Sequence, residues 1–258
     1  MTTKVTHKGK NLRNQYGNPN LKFHSVCVDN FFNNPDLIRE FALNQEYFPT
    51  DGRYPGERTS NMWQINKTLS DYLFAKIFSV YFPVRGYQIK FEKADITFQK
   101  IKPFSDVTNS WKNTGWIHTD NDFALAGLVY LTPNFNKNGG TSLFNLKKEF
   151  SYTHDDSILT PMKNKLYSGK KISDEEYKNA LEKYNSKFEE KTEFKNIYNR
   201  LIAYDGHEYH GAKSFYNNTG DERLTLVFFI DGITIEKSPY EVFKGKIDES
   251  IESEIRKQ

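Results

Sequence analysis

From Tyr87 onward the apolar side chains of this chain change period. Ile89 and Phe91, then Ile96 and Phe98, alternate with polar residues, so residues 87–101 read as strands with one buried face. Further strand-like runs follow at Trp116–Asp120, Leu125–Leu131, Thr141–Phe144, Asn199–Asp205 and Leu224–Ile230. The last is almost continuously apolar, as a buried strand would be, and Gly139-Gly140 marks a turn before Thr141. Upstream the pattern is helical after one short strand, Phe23–Val28. Asn34 can cap a helix that Pro35 opens, with Leu37, Ile38, Phe41 and Ala42 on one face. A second helix is predicted over Leu69–Tyr81, ended by Pro83. Helices first and strands afterward predict an α+β single domain around a double-sheet or barrel core.

The organisation within residues 1–258 follows from this order. Residues 1–22 are basic and polar, without the apolar core of a signal peptide, and read as a flexible lead-in. Residues 23–94 supply helical support, 95–232 the core, and 233–258 a hydrophilic tail in which 247–255 has amphipathic helical spacing. Residues 150–196 interrupt the strand series. They contain a helical pattern over Ile172–Phe188 that starts at Ser173-Asp174-Glu175-Glu176. This insertion either shapes the mouth of a site or decorates the surface. The turn-rich loop Thr50–Ser60 is expected to border the same mouth and select substrate; its Arg53 and Arg58, around Pro55-Gly56, are either solvated loop charges, the commoner case, or bind an acidic substrate group.

A net charge of +3 from intermixed acids and bases argues against nucleic acid as a partner. No run approaches the ~20 apolar residues of a membrane span. Aromatic residues make up 16% of the chain and can build a core with few aliphatic side chains. The single cysteine, Cys27 in Val26-Cys27-Val28, reads as a small buried hydrophobe. One cysteine allows no internal disulfide, which fits a reducing compartment such as the cytoplasm.

The chemistry concentrates at Gly115-Trp116-Ile117-His118-Thr119-Asp120. On a strand, residues two apart share a face, so His118 and Asp120 aim an imidazole and a carboxylate at one point. A histidine from a distant strand would complete a two-histidine, one-carboxylate set. That set fills three positions of an octahedral ferrous ion and leaves the rest open. Two candidates lie downstream, His207 and His210. The residues alone leave the two open, and whichever is not a ligand is a loop histidine; His207 in that role would orient Asp205 or solvent. Arg223 enters an apolar strand, where a guanidinium needs an anionic partner. Thr225 shares its face. Trp63, Trp111 and Trp116 either line the substrate side or pack as ordinary core.

The series His118-x-Asp120, Tyr130-Leu131, Gly139-Gly140-Thr141, His210 and Arg223-x-Thr225 resembles the Fe(II)- and 2-oxoglutarate-dependent oxygenase superfamily. It is most similar to the prolyl-4-hydroxylase-like branch and to small phage-encoded oxygenases of unknown substrate. The resemblance covers residues 95–232 and implies a double-stranded β-helix (a jelly-roll, cupin-like core) with the N-terminal helices packed on one sheet. It implies metal ligands His118, Asp120 and His210, and 2-oxoglutarate contacts from Arg223, Thr225 and Tyr130. It also implies O2 as co-reactant and hydroxylation of a proline-like peptidyl residue or a small amino-acid-like molecule. Asp120 favours hydroxylation over halogenation, because related halogenases lack that carboxylate. Residues 224–230 lack the second arginine of related nucleobase demethylases. The alternative from another class is a non-catalytic cupin-like module that binds a metal or ligand.

Overall fold

The structure, a computed structural model, describes residues 5–7, 23–82, 89–120, 122–150, 156–235, 253, 255 and 256. Its strands are β1 (Val5–His7), β2 (Val26–Val28), β3 (Phe48–Pro49), β4 (Glu57–Arg58), β5 (Lys93–Ile101), β6 (Leu125–Tyr130), β7 (Thr141–Leu146), β8 (Phe188–Phe194), β9 (Leu201–Asp205), β10 (Tyr209–Ala212), β11 (Arg223–Asp231) and β12 (Ile233–Ile235). Its helices are α1 (Pro35–Leu43), α2 (Met62–Ile65), α3 (Lys67–Phe78), α4 (Asp156–Tyr167) and α5 (Asp174–Asn185).

Two antiparallel sheets face each other. The larger runs β2-β9-β6-β11-β5-β4-β3 and the smaller β10-β7-β8. The segment ending at His118 extends the smaller sheet beyond β10. Gly115 N–H donates to Ala212 O at 2.8 Å, and His118 bridges His210. With β5 counted as the first core strand and that segment as the second, the sheets read 6-3-8-1 and 5-4-7-2. Dealing strands alternately between two sheets in this way is the jelly roll.

The two-residue period sorts side chains between two cores. Ile96 and Phe98 of β5, Leu224, Leu226, Phe228 and Ile230 of β11, and Leu201 and Ala203 of β9 pack outward. They meet Ala42 of α1 and Leu73, Phe74, Ile77 and Phe78 of α3. Their chain neighbours Leu128, Tyr130, Ile202, Tyr204 and Val227 turn the other way and pack with Leu143 of β7 between the sheets. A strand covered on both faces is why Leu224–Ile230 shows no alternation. Each helix that covers the sheet starts at a capping asparagine, α1 at the one expected from the sequence and α3 at Asn66, ahead of the expected start. Asn34 Oδ1 accepts from Leu37 N–H at 3.2 Å with Pro35 in the first position, and Asn66 Oδ1 accepts from Leu69 N–H at 3.0 Å.

Several expectations need correction. Cys27 is exposed, because β2 is an edge strand whose alternate residues Val26 and Val28 pack inward. Leu37, 60% exposed, lies off the buried face of α1. The helix predicted over Leu69–Tyr81 is α3, which starts at Lys67 and ends at Phe78, ahead of Pro83; residues 83–88 lie outside the described residues. Trp116–Asp120 makes a single bridge at His118, not a regular strand. Within 150–196, β8 is a core strand of the smaller sheet, so the helical part is confined to α4 and α5. Val5–His7 pairs with β12 and is therefore not a loose lead-in. Most of the predicted 247–255 helix lies outside the described residues. No described helix is long and apolar enough to cross a membrane.

Candidate metal centre

His118 and His210 face each other and exchange both backbone hydrogen bonds, His118 N–H to His210 O at 2.9 Å and His210 N–H to His118 O at 2.8 Å. Directly opposed residues project to one face, and the two rings lie 4.3 Å apart. Asp120 reaches the same point through a turn. Its N–H donates to Gly206 O and its carbonyl accepts from Phe123 N–H, both at 2.8 Å. A Cβ on Gly206 would meet Phe123 O at 2.0 Å, so glycine is required where the chain passes that turn. One ligand atom from each of His118, Asp120 and His210 lies within 4.8 Å of the others.

The histidines are oriented by their far nitrogens. His118 Nδ1 is 2.9 Å from Trp116 O, and His210 Nδ1 is 3.0 Å from Glu208 O. A carbonyl only accepts, so each Nδ1 carries the hydrogen and each Nε2 is left for a cation. Both Nε2 atoms face Asp120, His118 at 3.9 Å from Oδ1 and His210 at 3.3 Å from Oδ2.

Partial desolvation at the cavity lowers the His118 pKa, and the charge on His210 acts in the same direction. Burial also pulls His210 down, but the Asp120 charge and hydrogen bond outweigh it and hold that imidazole above its ordinary value. Burial pushes Asp120 up, yet His210, His118 and Arg58 together keep it below the usual carboxylate range. The trio therefore favours one positive charge between its members. A divalent metal would replace that proton, as metal binding at such ligands does. Two neutral imidazoles and a carboxylate on one face suit a borderline transition-metal ion and leave its other positions open. The His118 side chain is 50% exposed, against 7% for His210, so the centre opens past His118.

The centre lies in a cavity of roughly 660 Å³ between the sheets. Arg223 also lines it, only 3% exposed, with Nε and Nη2 lacking any hydrogen-bond partner. The buried Thr225 Oγ1 beside it also has none. Burial lowers the Arg223 pKa, the sign of a desolvated cation. Such a cation is costly without an anion, and the fold supplies two donors and a hydroxyl aimed at one.

Residues 18–230 match the model of a family of unknown function, DUF6445. The chain belongs to that family. No curated protein matches the sequence. Similar solved structures include a prolyl hydroxylase from Trichoplax adhaerens in complex with a hypoxia inducible factor oxygen degradation domain peptide fragment. It is 14% identical, with 87% of this chain and 90% of that chain covered at a TM-score of 0.45. A Pseudomonas putida prolyl-4-hydroxylase is 13% identical, covering 80% and 91% at 0.41. HygX from Streptomyces hygroscopicus, with nickel and 2-oxoglutarate bound, is 9% identical, covering 80% and 82% at 0.47.

In this DUF6445 chain the other sequence candidates fall in distinct places. His207 is apart from the metal ligands, its Nδ1 2.9 Å from Asp205 Oδ1. Tyr130 is fully buried behind the cavity wall. Its hydroxyl donates to Thr141 Oγ1 at 2.9 Å, and its ring lies 5.3 Å from the Arg223 guanidinium carbon. Trp116 lines the cavity and donates from Nε1 to Tyr177 OH at 2.7 Å, Trp111 is partly buried, and Trp63 is 58% exposed. The Thr50–Ser60 loop contributes Arg53, Tyr54, Pro55, Arg58 and Thr59 to the cavity lining. Lys163, Tyr167, Tyr184 and Lys187 come from the helical insertion and the turn after it. Both segments thus border the cavity that holds His118. Tyr204, also in the lining, was not singled out by sequence. Its strand is buried throughout, so nothing in the pattern marks the face it occupies.

Proposed function

We propose that this chain is a non-haem Fe(II)- and 2-oxoglutarate-dependent oxygenase of the prolyl-4-hydroxylase-like kind, hydroxylating a proline-like peptidyl residue or a small amino-acid-like molecule. One observation carries the reading: an open three-ligand face shares its cavity with the buried Arg223, whose Nε and Nη2 lack partners, and the equally unpartnered Thr225 Oγ1 stands two residues on along the same strand. A metal face alone fits many chemistries. The added demand for a carboxylate selects a cosubstrate that can chelate the metal at one end and present an acid group at the other.

In this reading His118, Asp120 and His210 hold Fe(II), and Arg223 and Thr225 bind the far carboxylate of 2-oxoglutarate. Tyr130 acts through Arg223, supporting the guanidinium from behind. When bound, iron and 2-oxoglutarate supply the activation of O2, which no side chain here provides. The protein fixes geometry and excludes water, with Trp116, Tyr204 and Phe188 closing the walls. An exposed, unpaired Cys27 fits a reducing compartment such as the cytoplasm. Nothing in the comparisons supports the narrower likeness to phage-encoded enzymes, and it is not carried further.

The test is anaerobic loading with Fe(II), then 2-oxoglutarate and O2. Slow succinate release, dependent on all three and stimulated by substrate, is expected. Iron-loaded protein that neither binds 2-oxoglutarate nor releases succinate would leave a non-catalytic cupin-like module as the better description.

A further inference from the structure

Arg223 is not the only cation in the cavity whose donors lack partners. Arg58 of β4 stands opposite Gln99 of β5, which stands opposite Thr225 of β11, so all three project from the same wall. Arg58 Nε is buried without a hydrogen-bond partner. Its guanidinium carbon lies 3.9 Å from the Tyr54 ring centroid and 5.3 Å from that of Phe229. Arg53, the loop's other arginine, is exposed and pairs with Asp51 at 2.9 Å. Arg58 is therefore no solvated loop charge.

In register Arg58 stands level with Thr225, two strands across the sheet, but its guanidinium reaches toward the ring of Phe229, which lies six residues from Arg223 along β11. Phe123, just beyond Asp120 in the chain, packs on Phe229 with centroids 5.2 Å apart. Arg58 thus lies toward the Asp120 side, while Arg223 sits over Tyr130 at the other end of the strand. A five-carbon diacid held at Arg223 and at the metal has no carboxylate left for Arg58.

We propose that Arg58 binds a carboxylate of the primary substrate. This rests on the oxygenase reading and extends it: the substrate is an anion, bound at the end of the cavity remote from Arg223. A guanidinium laid against rings presents its planar edge to an oxyanion fork, and the surrounding charge favours a carboxylate over a phosphate. Asp95 stands opposite Phe229 on the same face, and with Asp120 it would repel a dianion. Both acids act on Arg58 through their charge, but neither hydrogen-bonds its Nε: Asp95 accepts from Asn61 Nδ2 at 2.8 Å, and Asp120 faces the histidines.

The probes are the twenty L-amino acids, each as the free acid, the N-acetyl acid and the C-terminal amide. Binding is read by tryptophan fluorescence and turnover by succinate release. At least one acid should bind and stimulate release, with its amide at least tenfold weaker. Activity of the free acid alone identifies an amino acid as substrate, while activity of the N-acetyl form identifies a chain terminus. Arg58→Gln should raise the KM of that acid at least tenfold, and Arg58→Lys should recover part of it, with 2-oxoglutarate affinity held within twofold by calorimetry. An amide as effective as its acid, a panel without a single binding carboxylate, or an unchanged KM in Arg58→Gln overturns the assignment. Failure of the wild type to bind 2-oxoglutarate in the same calorimetry would instead remove the oxygenase reading.

Discussion

Two histidine–aspartate groupings lie in this chain, and they are built in opposite ways. In the first, His207 Nδ1 lies 2.9 Å from Asp205 Oδ1. Asp205 also accepts from His207 N–H at 3.0 Å and from Phe23 N–H at 3.1 Å. Both side chains are closed from solvent, at 4% and 1% exposure. In the second, His118 and His210 give Nδ1 to backbone carbonyls and keep Nε2 toward an Asp120 that opens on the cavity. Both groupings place a histidine two residues from an aspartate in sequence. What separates them is what Nδ1 meets: the aspartate itself in the first, a backbone carbonyl in the second. A carboxylate saturated by its own chain is structural, and one facing the Nε2 atoms of two imidazoles is a ligand.

The comparison breaks or sharpens on five substitutions. The largest effect should come from Asp120→Ala. Titration with Mn(II) as the Fe(II) surrogate should show affinity falling by more than the roughly 100-fold that loss of a supporting contact costs. The urea midpoint should change little. His210→Ala should behave alike and His207→Ala should keep metal affinity within about twofold; the reverse ranking would invert the assignment.

Asp205→Ala tests the closed grouping. It removes the carboxylate that accepts from the Phe23 and His207 N–H groups and faces the His207 ring in a buried setting, at a cost of about 3–5 kcal/mol in urea unfolding. The folded fraction should still bind metal. Loss of metal binding with stability intact would show that the two groupings are not separate.

Arg223→Ala extends the open grouping to its second half. It should weaken 2-oxoglutarate by at least about tenfold, since losing one partner of a buried charge pair costs on the order of 2–5 kcal/mol. Metal affinity should remain. Equal calorimetric affinity in wild type and variant would place the anchor elsewhere.

The legible parts of this molecule were those where a local pattern and a chemical demand coincide. His118-x-Asp120 could be read because two ligand types at strand spacing have few other uses. Arg223 and Thr225 stood out because a guanidinium enters an otherwise apolar strand. β8 was missed because its sequence, Phe-Glu-Glu-Lys-Thr-Glu-Phe, puts acids and lysine on both faces of a strand at the edge of the smaller sheet. α4 was missed because Pro161 lies inside it and its apolar residues make no long stripe. Cys27 misled because an apolar Val-Cys-Val triplet says nothing about which of its faces is covered. Arg58 was recognised as a candidate, but its burial depends on β4 joining β5, a pairing between distant residues that no local pattern reports.

The paired backbone hydrogen bonds between His118 and His210 tie together two points about ninety residues apart in the chain. An ion held by both side chains would clip a very long loop shut, and only the folded chain presents that clip. Occupancy would then raise the melting temperature in proportion to the logarithm of free metal, about 2.7 kcal/mol of stabilisation at a hundred times the dissociation constant. The span that the ion would close contains β6, β7, β8 and β9, together with both helices of the insertion. Metal supply would therefore govern how long this protein survives in its folded form, as well as whether it can act.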